Sequence, residues 1–189
     1  MKPKILIHTC CAPCLAGVCD ELKEKYELVC YFYNPNIQPF KEHQNRKAAL
    51  VEFCKMNNIS LICEDIENDN FANWFDFILA DKNCIDLQKN RQERCQKCYE
   101  MRMMKLAKKA QELGIKNITT TLLFSIYQYH DLIKNLGNEI AKNCGFNFHY
   151  QNFRIGWKKG CEIYRETRLF RQNYCGCIFS EYERFGIGK

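Results

Sequence analysis

Residues 5–14 read Ile-Leu-Ile-His-Thr-Cys-Cys-Ala-Pro-Cys, so an apolar run ends in three thiols within five positions. The β-branched and leucine content around this run predicts a short, fully buried strand at Lys4–His8. Pro13 lacks a backbone N–H, which prevents a strand or helix from simply continuing before Leu15. In open α/β sheets, ligands bind beyond the carboxyl ends of the strands. If the sheet is parallel, these thiols therefore lie at its ligand-binding edge.

Strand and helix patterns alternate along the rest of the chain. The predicted strands after the first are 28–33, 59–63, 118–124 and 146–150. The predicted helices are 15–25, 41–56, 92–113, 129–143 and 158–172, with a further short helix inside the acidic and aromatic stretch 64–86. The alternation predicts an α/β fold with a mainly parallel sheet covered on both faces, followed by a C-terminal helical segment.

The composition of the chain limits its class and its compartment. Its 189 residues, 47% of them hydrophobic, suffice for one well-filled core and contain no linker, so we predict a single domain over residues 1–189. No signal-peptide pattern or apolar run of ~20 residues is present, which predicts a cytoplasmic protein with no membrane partner. Fourteen cysteines would stay mostly reduced there. Their number argues for metal or redox chemistry and against a disulfide framework.

The net charge of +6 is concentrated in two segments that lie beside cysteine clusters. Residues 89–109 carry +6 and residues 154–172 carry +4, which leaves −4 elsewhere. These segments either contact a phosphate backbone or form two ordinary solvated helix faces, and charge alone favours neither interpretation. The candidate phosphate contacts are Arg91, Arg94, Arg102, Arg165, Arg168 and Arg171.

Cys95 and Cys98 are three positions apart, so on a helix both sulfurs project to the same side. With Cys10 and Cys11 they make a four-sulfur set that fits either tetrahedral zinc or an iron-sulfur cluster. Neighbouring cysteines on an extended backbone point apart, which favours the separate corners of a 4Fe-4S cluster over one small ion. Cys14 is either a fifth ligand or a structural thiol.

Cys175 and Cys177 flank a single glycine, a spacing too tight for the usual zinc knuckle. The sharper interpretation is a redox pair that closes a strained loop, which glycine permits. The seven other cysteines are isolated, and we predict that they are small core residues. Among the histidines, His130 is a functional candidate because it follows the end of a predicted strand.

Taken in sequence order, these clusters resemble the QueH type of epoxyqueuosine reductase, a family that performs the last step of tRNA queuosine formation. The resemblance spans nearly the whole chain. Its pieces are His-Thr-Cys-Cys-Ala-Pro-Cys at 8–14, Phe-Tyr-Asn-Pro-Asn-Ile-Gln-Pro at 32–39, Arg-Cys-Gln-Lys-Cys-Tyr-Glu-Met-Arg at 94–102, Thr-Thr-Thr-Leu-Leu at 119–123, Tyr127-Gln128 with His130, and Arg-Gln-Asn-Tyr-Cys-Gly-Cys-Ile-Phe-Ser-Glu-Tyr at 171–182.

The resemblance implies cofactors, a substrate and roles for particular residues. A 4Fe-4S cluster would be held by Cys10, Cys11, Cys95 and Cys98, with a redox-active disulfide between Cys175 and Cys177. An additional mononuclear iron would lie beside the cluster, with Cys14 as its candidate ligand. The substrate would be tRNA carrying epoxyqueuosine at the wobble position, served by an electron donor that the sequence does not identify. The epoxide oxygen would leave as water, with Tyr127 or His130 as the candidate proton donor.

The fold implied by the resemblance is the adenine-nucleotide hydrolase-like (Rossmann-like) architecture, which also includes tRNA-thiolating enzymes. This chain lacks the Ser-Gly-Gly-x-Asp-Ser phosphate loop of that group, so we do not expect it to use ATP. Ile126 also stands where a proline is frequent in the family. Two other functions compete with the reductase: a cluster-dependent tRNA-thiolating enzyme and a non-catalytic, zinc-dependent nucleic-acid-binding protein.

Overall fold

Five strands form one parallel sheet in the computed structural model, which describes residues 1–64, 68–80 and 90–186. They are β1 (Lys4–His8), β2 (Glu27–Phe32), β3 (Ser60–Cys63), β4 (Asn117–Thr120) and β5 (Asn147–Phe148). The order is β3-β2-β1-β4-β5, with every neighbouring pair parallel. The predicted α/β fold with a parallel sheet is confirmed, and this strand order is the Rossmann-like one.

Helices cover both faces of the sheet. They are α1 (Ala12–Ala16), α2 (Cys19–Lys25), α3 (Phe40–Met56), α4 (Asn68–Leu79), α5 (Arg91–Glu112), α6 (His130–Cys144), α7 (Trp157–Glu166) and α8 (Ile178–Phe185). Ile5 and Ile7 enter one hydrophobic core, while Leu6 enters the other together with Met103 and Leu106 of α5. Side chains alternate across a strand, so the apolar run of β1 supplies both cores. Among the described residues, no helix is long and apolar enough to cross a membrane.

The predicted helix 15–25 is in fact two helices. Helix α1 begins earlier, at Ala12, because Pro13 occupies its first turn, where the missing N–H would have no partner in any case. The chain leaves α1 at Gly17 and enters α2 at Cys19. The three thiols at 10–14 therefore straddle the junction between strand β1 and helix α1.

Three other predicted elements have different limits in the structure. The strand predicted at 118–124 ends at Thr120, whose hydroxyl accepts a hydrogen bond from the Leu122 N–H (3.2 Å) and starts a 3-10 helix at Thr121–Phe124. The strand predicted at 146–150 is only the two residues of β5. The helix predicted at 158–172 stops at Glu166, and Arg168 then takes a positive φ of 56°.

Helix α8 has no counterpart in the prediction. Its N-cap is Cys177, whose Sγ accepts a hydrogen bond from the Ser180 N–H (3.4 Å), and the helix begins at Ile178. In the stretch 64–86 the expected short helix is α4, while residues 65–67 and 81–89, including Cys84, lie outside the described ranges. The single domain over 1–189 stays a prediction.

Candidate active site

The thiols that follow β1 are held at the carboxyl edge of the sheet by its two neighbouring strands. The Thr9 N–H donates to the Tyr31 carbonyl of β2 (2.9 Å), and the Asn34 side chain donates to the Thr9 carbonyl (2.9 Å). From beyond β4, the Thr121 hydroxyl accepts a hydrogen bond from the Cys10 N–H (3.1 Å). The backbone that carries the thiols is therefore fixed from both sides.

Three sulfurs converge at this point. The Sγ atoms of Cys10, Cys11 and Cys14 all lie within 4.8 Å of one another, and all three residues are buried. The sulfurs of Cys10 and Cys11 are 3.5 Å apart, so the expectation that neighbouring cysteines point apart is wrong here. The backbone bends at Cys10 and enters α1 directly after Cys11, so the two side chains do not alternate as they would on a strand. The sulfurs of Cys10 and Cys11 are therefore close enough to bind one ion together.

The three thiols form one electrostatic unit. Hydrogen bonds from the Cys11 and Cys14 thiols hold the pKa of Cys10 well below its usual value. Burial and the hydrogen bond to Cys10 raise the pKa of Cys11. The hydrogen bonds that Cys14 makes to Cys10 and Cys11 raise the pKa of Cys14. A second or third thiolate is therefore unfavourable in this unit without a cation.

Cys95 and Cys98 lie near the start of α5. Together with Cys175 and Cys177 they form the second group of sulfurs. Cys98 packs with Trp74 and Ile78 of α4, and Cys177 packs against the same cluster. Burial, and then the charge of Cys175, raises the pKa of Cys95 to about 12. Within the described ranges, the 4.8 Å criterion for three donors is met by Cys10, Cys11 and Cys14 and not by a set containing Cys95 or Cys98.

Arg102 of α5 connects the two groups electrostatically. Its side chain is 2% exposed, and its Nε donates to the Cys98 carbonyl (3.0 Å). Burial opposes the charged form of this guanidinium, but the neighbouring Cys98, Cys175 and Cys10 more than compensate, so the pKa of Arg102 is raised. The positive charge thus acts on sulfurs of both groups.

The Cys-Gly-Cys loop is held by a buried arginine of α3. Arg46 donates to the Cys175 carbonyl (2.8 Å) and to the Tyr174 carbonyl (3.1 Å). Gly176 has φ +131°, a conformation that residues with side chains rarely adopt, as the glycine between the two cysteines predicted. Both Cys175 and Cys177 are free thiols in the structure.

Two glutamine side chains reach the sulfurs. The Gln128 amide nitrogen lies 3.4 Å from the Cys175 sulfur, and its carbonyl oxygen accepts a hydrogen bond from the Tyr99 hydroxyl (2.8 Å). The Gln172 amide donates to the Cys11 sulfur (2.8 Å). Both glutamines lie in motifs that carry the family resemblance, so the sequence could have indicated a functional role for them. Nothing in the sequence indicated a role for Arg46.

A cavity of about 460 Å³ joins the first sulfur group to Cys175. Its lining contains five thiols, four aromatic rings and four arginines: Cys10, Cys11, Cys14, Cys161 and Cys175; Phe124, Tyr127, Trp157 and Tyr174; Arg46, Arg91, Arg171 and Arg184. The structure places Tyr127 in this lining, with 66% of the residue exposed. His130 is not part of the lining; it is buried against the edge of Tyr150, and burial lowers its pKa.

Two of the six arginines predicted to contact phosphate are buried. Arg94 is 5% exposed and pairs with Glu183 (2.7 Å), and Arg102 lies between the sulfur groups. The prediction is wrong for these two because their side chains turn inward from α5. Arg91, Arg165, Arg168 and Arg171 are exposed.

Comparisons with known proteins identify close sequence relatives. The family model described as "Epoxyqueuosine reductase QueH" matches residues 5–183. Proteins of that name from Dehalococcoides mccartyi and Thermotoga maritima are 34% and 32% identical to the chain; they align with 98% and 95% of it and with 97% and 91% of their own lengths. The solved structure of the U34-tRNA thiolase NcsA from Methanococcus maripaludis, with its [4Fe-4S] cluster, matches 100% of this chain and 83% of its own at 12% identity and a TM-score of 0.40.

Proposed function

The chain belongs to the epoxyqueuosine reductase QueH family, and on that premise we propose that it reduces epoxyqueuosine in tRNA at the cavity between Cys10 and Cys175. The observation that carries the proposal is the convergence of three buried sulfurs at the ligand-binding edge of a sheet in a member of this reductase family. The reaction takes up two electrons and two protons, breaks both bonds to the epoxide oxygen and releases it as water. Nothing in the described residues or the relatives favours the thiolating enzyme or the zinc-dependent binding protein.

The donor set fits a sulfur-ligated metal centre. Buried thiols that converge within 4.8 Å are soft ligands of the kind that iron-sulfur clusters use. The Gln172 amide on the Cys11 sulfur is the type of outer contact that orients a ligand, and buried Arg46 and Arg102 balance thiolate charge. We propose a 4Fe-4S cluster held by Cys10, Cys11, Cys95 and Cys98, and an additional mononuclear iron to which Cys14 contributes. When bound, these groups would supply electron transfer and a Lewis acid for the epoxide oxygen.

Cys175 and Cys177 form the second part of the proposal. Oxidation of two thiols to one disulfide releases two electrons and two protons, which is the amount that reduction of the epoxide consumes. Arg46 fixes the carbonyl of Cys175, and Gly176 permits the tight backbone between the two sulfurs. We therefore assign them as the redox-active pair, which an electron donor of unknown identity returns to the dithiol.

Tyr127 is the better of the two candidate proton donors. Its ring lines the cavity, whereas His130 lies outside the lining. Burial lowers the pKa of His130, which keeps its imidazole neutral near pH 7 and makes it a poor acid. A phenol at the cavity edge can give a proton to the oxygen as its bond to carbon breaks.

The partners follow from the substrate. The exposed arginines near the cavity support binding of tRNA, and a tRNA substrate supports the predicted location in the cytoplasm.

The test of the proposed function is incubation of anaerobically purified, reconstituted protein with epoxyqueuosine-containing tRNA and dithionite, followed by mass analysis of the nucleosides. We expect loss of one oxygen atom and a brown protein that dithionite bleaches. Gain of sulfur would indicate a thiolating enzyme, and zinc without nucleoside conversion would indicate the binding protein.

A further inference from the structure

Three of the four aromatic rings that line the cavity pack against one another, and we propose that these three form a stacking site for the epoxide-bearing base itself. We call Phe124, Tyr127 and Trp157 the aromatic wall. The inference rests on the proposed function, because it adds to that reaction the way in which the base is held. Recognition of RNA commonly splays an unpaired base onto aromatic side chains, and a base that undergoes chemistry must leave its stack.

The geometry of the aromatic wall leaves ring surface open to the cavity. The centroids of Phe124 and Trp157 are 4.9 Å apart with an interplanar angle of 31°, so Phe124 backs the indole. Tyr127 meets Trp157 edge-on, at 6.2 Å and 88°. Packing within the wall accounts for buried Phe124, but Tyr127 remains 66% exposed and Trp157 only half-buried. An aromatic surface of this kind, next to the reacting sulfurs, offers a flat partner for a base.

The fold itself fixes the Phe124 ring at the back of the aromatic wall. A Cβ atom at Gly17 would lie 2.0 Å from Phe124, and one at Gly160 would lie 2.7 Å from it and 2.8 Å from the Gly17 Cα. The two glycines, between α1 and α2 and within α7, thus leave the space that the Phe124 ring occupies. A preformed surface avoids the entropic cost of ordering side chains on binding.

The charges around the cavity complement a nucleotide. Arg171 and Arg184 are exposed and line the same cavity as the aromatic wall. The one acidic lining residue, Glu183, is paired with Arg91 (3.4 Å) and Arg94 (2.7 Å). Rings for a base next to cations for its phosphates are the combination that binds single-stranded nucleic acid.

Binding of an anticodon stem-loop carrying epoxyqueuosine to the anaerobic holoprotein tests the proposal. Loss of one base stack weakens binding by about 5- to 150-fold, and we expect a loss in this range for Tyr127→Ala and for Trp157→Ala. Tyr127→Phe keeps the ring and should bind nearly as wild type, even if it no longer delivers a proton. The matched control is Tyr182→Ala, because this tyrosine of α8 is 50% exposed and does not line the cavity.

A second stem-loop, abasic at the modified position, identifies the base that stacks. If the aromatic wall holds that base, the penalty of Tyr127→Ala should disappear on the abasic stem-loop, since neither partner of the stack remains. A penalty of equal size on both stem-loops would overturn the assignment to the modified base. Wild-type affinity in both Tyr127→Ala and Trp157→Ala, when the wild-type protein converts the substrate, would overturn the aromatic wall alone. Failure of wild-type protein to convert the substrate at all would remove the proposed function and the aromatic wall together.

Discussion

Five thiols are candidates for holding the proposed metal centre, and single substitutions distinguish their roles. Serine at Cys10, Cys11, Cys95 or Cys98 should lower both bound iron and bound sulfide and abolish reduction, because a hydroxyl is too hard a ligand for the cluster. Cys14→Ser should lower iron while sulfide stays near wild type, as expected for a ligand of the separate iron. Iron and sulfide analysis of anaerobically purified variants makes the measurement.

The exposed Cys144 supplies the control for this series, and Cys144→Ser should retain wild-type iron and sulfide. Full metal content in all four cluster variants would refute the ligand set. Equal loss of sulfide in Cys14→Ser would place that residue among the cluster ligands, as its position within 4.8 Å of Cys10 and Cys11 allows.

Cys175 and Cys177 should behave differently from the ligands. Serine at either position should leave iron content and colour near wild type but depress multiple-turnover reduction, because the pair that resupplies electrons is lost. A pre-reduced variant should still complete one turnover, because the proposed cluster and the proposed ferrous iron would each supply one of the two electrons. Rapid-mixing product analysis, compared with steady-state rates, separates the two steps. Loss of the cluster would make these residues ligands, and unimpaired steady-state turnover would remove them from the reaction.

At the scale of elements, the segment formed by α7 and the turn after it presents the basic surface next to the cavity. Replacing Arg165, Arg168 and Arg171 by glutamine should weaken the salt dependence of tRNA affinity. The slope of log affinity against log salt concentration should become shallower by about 0.7 to 0.9 for each lost phosphate contact. The control triple variant is Lys25→Gln, Lys108→Gln and Lys116→Gln, three exposed lysines near the amino edge of the sheet. Equal slopes in the two triple variants would assign the arginines to an ordinary solvated helix face.

The elements that sequence patterns located well are those whose burial is periodic. The apolar run of β1 and the long helix α5 were predicted within a residue or so, because each meets a hydrophobic core along its length. Thr120 and Cys177 determine element ends through single side-chain hydrogen bonds, which leave no periodic trace in the sequence. The strand that stops at Thr120 and the helix that starts after Cys177 were accordingly mispredicted or missed.

The candidate site divides in the same way. The cysteines were visible as clusters, but the convergence of Cys14 with Cys10 and Cys11 depends on the bend at Cys10, and the role of Arg46 depends on α3 packing beneath the Cys-Gly-Cys loop. Both arise from contacts distant in sequence. Charge patterning likewise could not show that Arg94 and Arg102 turn inward while Arg171 faces the cavity.

For the molecule as a whole, buried histidines limit stability in acid. Burial, with smaller contributions from Lys47 and Arg46, lowers the pKa of His43 to about 4, and its ring sits among Phe32, Phe40 and Phe71. The unfolded chain binds a proton here below pH 6.5, whereas the folded one does not. Stability is therefore complete above pH 6.5 and falls by about 1.4 kcal/mol per pH unit as the pH drops from 6.5 to about 4.

His43→Phe keeps the aromatic packing and removes the titrating group. We measure the free energy of unfolding by denaturant titration between pH 6.5 and pH 4.5. In this variant it should fall by about 1.4 kcal/mol less per pH unit than in the wild type, because one fewer proton binds on unfolding. A slope identical to that of wild type would mean that His43 does not contribute to the acid sensitivity.

The cavity is assembled from segments far apart along the chain, and this separation sets a delay during biosynthesis. Cys10 and Cys11 leave the ribosome long before Arg171 and Cys175, which lie some 160 positions later. At ribosomal rates of 5–20 residues per second this interval is roughly 8 to 30 s. For that time the first thiols lack the cover that the late segment provides. Cells that make this protein under oxidative stress should therefore load less of the proposed metal centre at the moment of synthesis, whereas molecules already folded should keep their sulfurs covered.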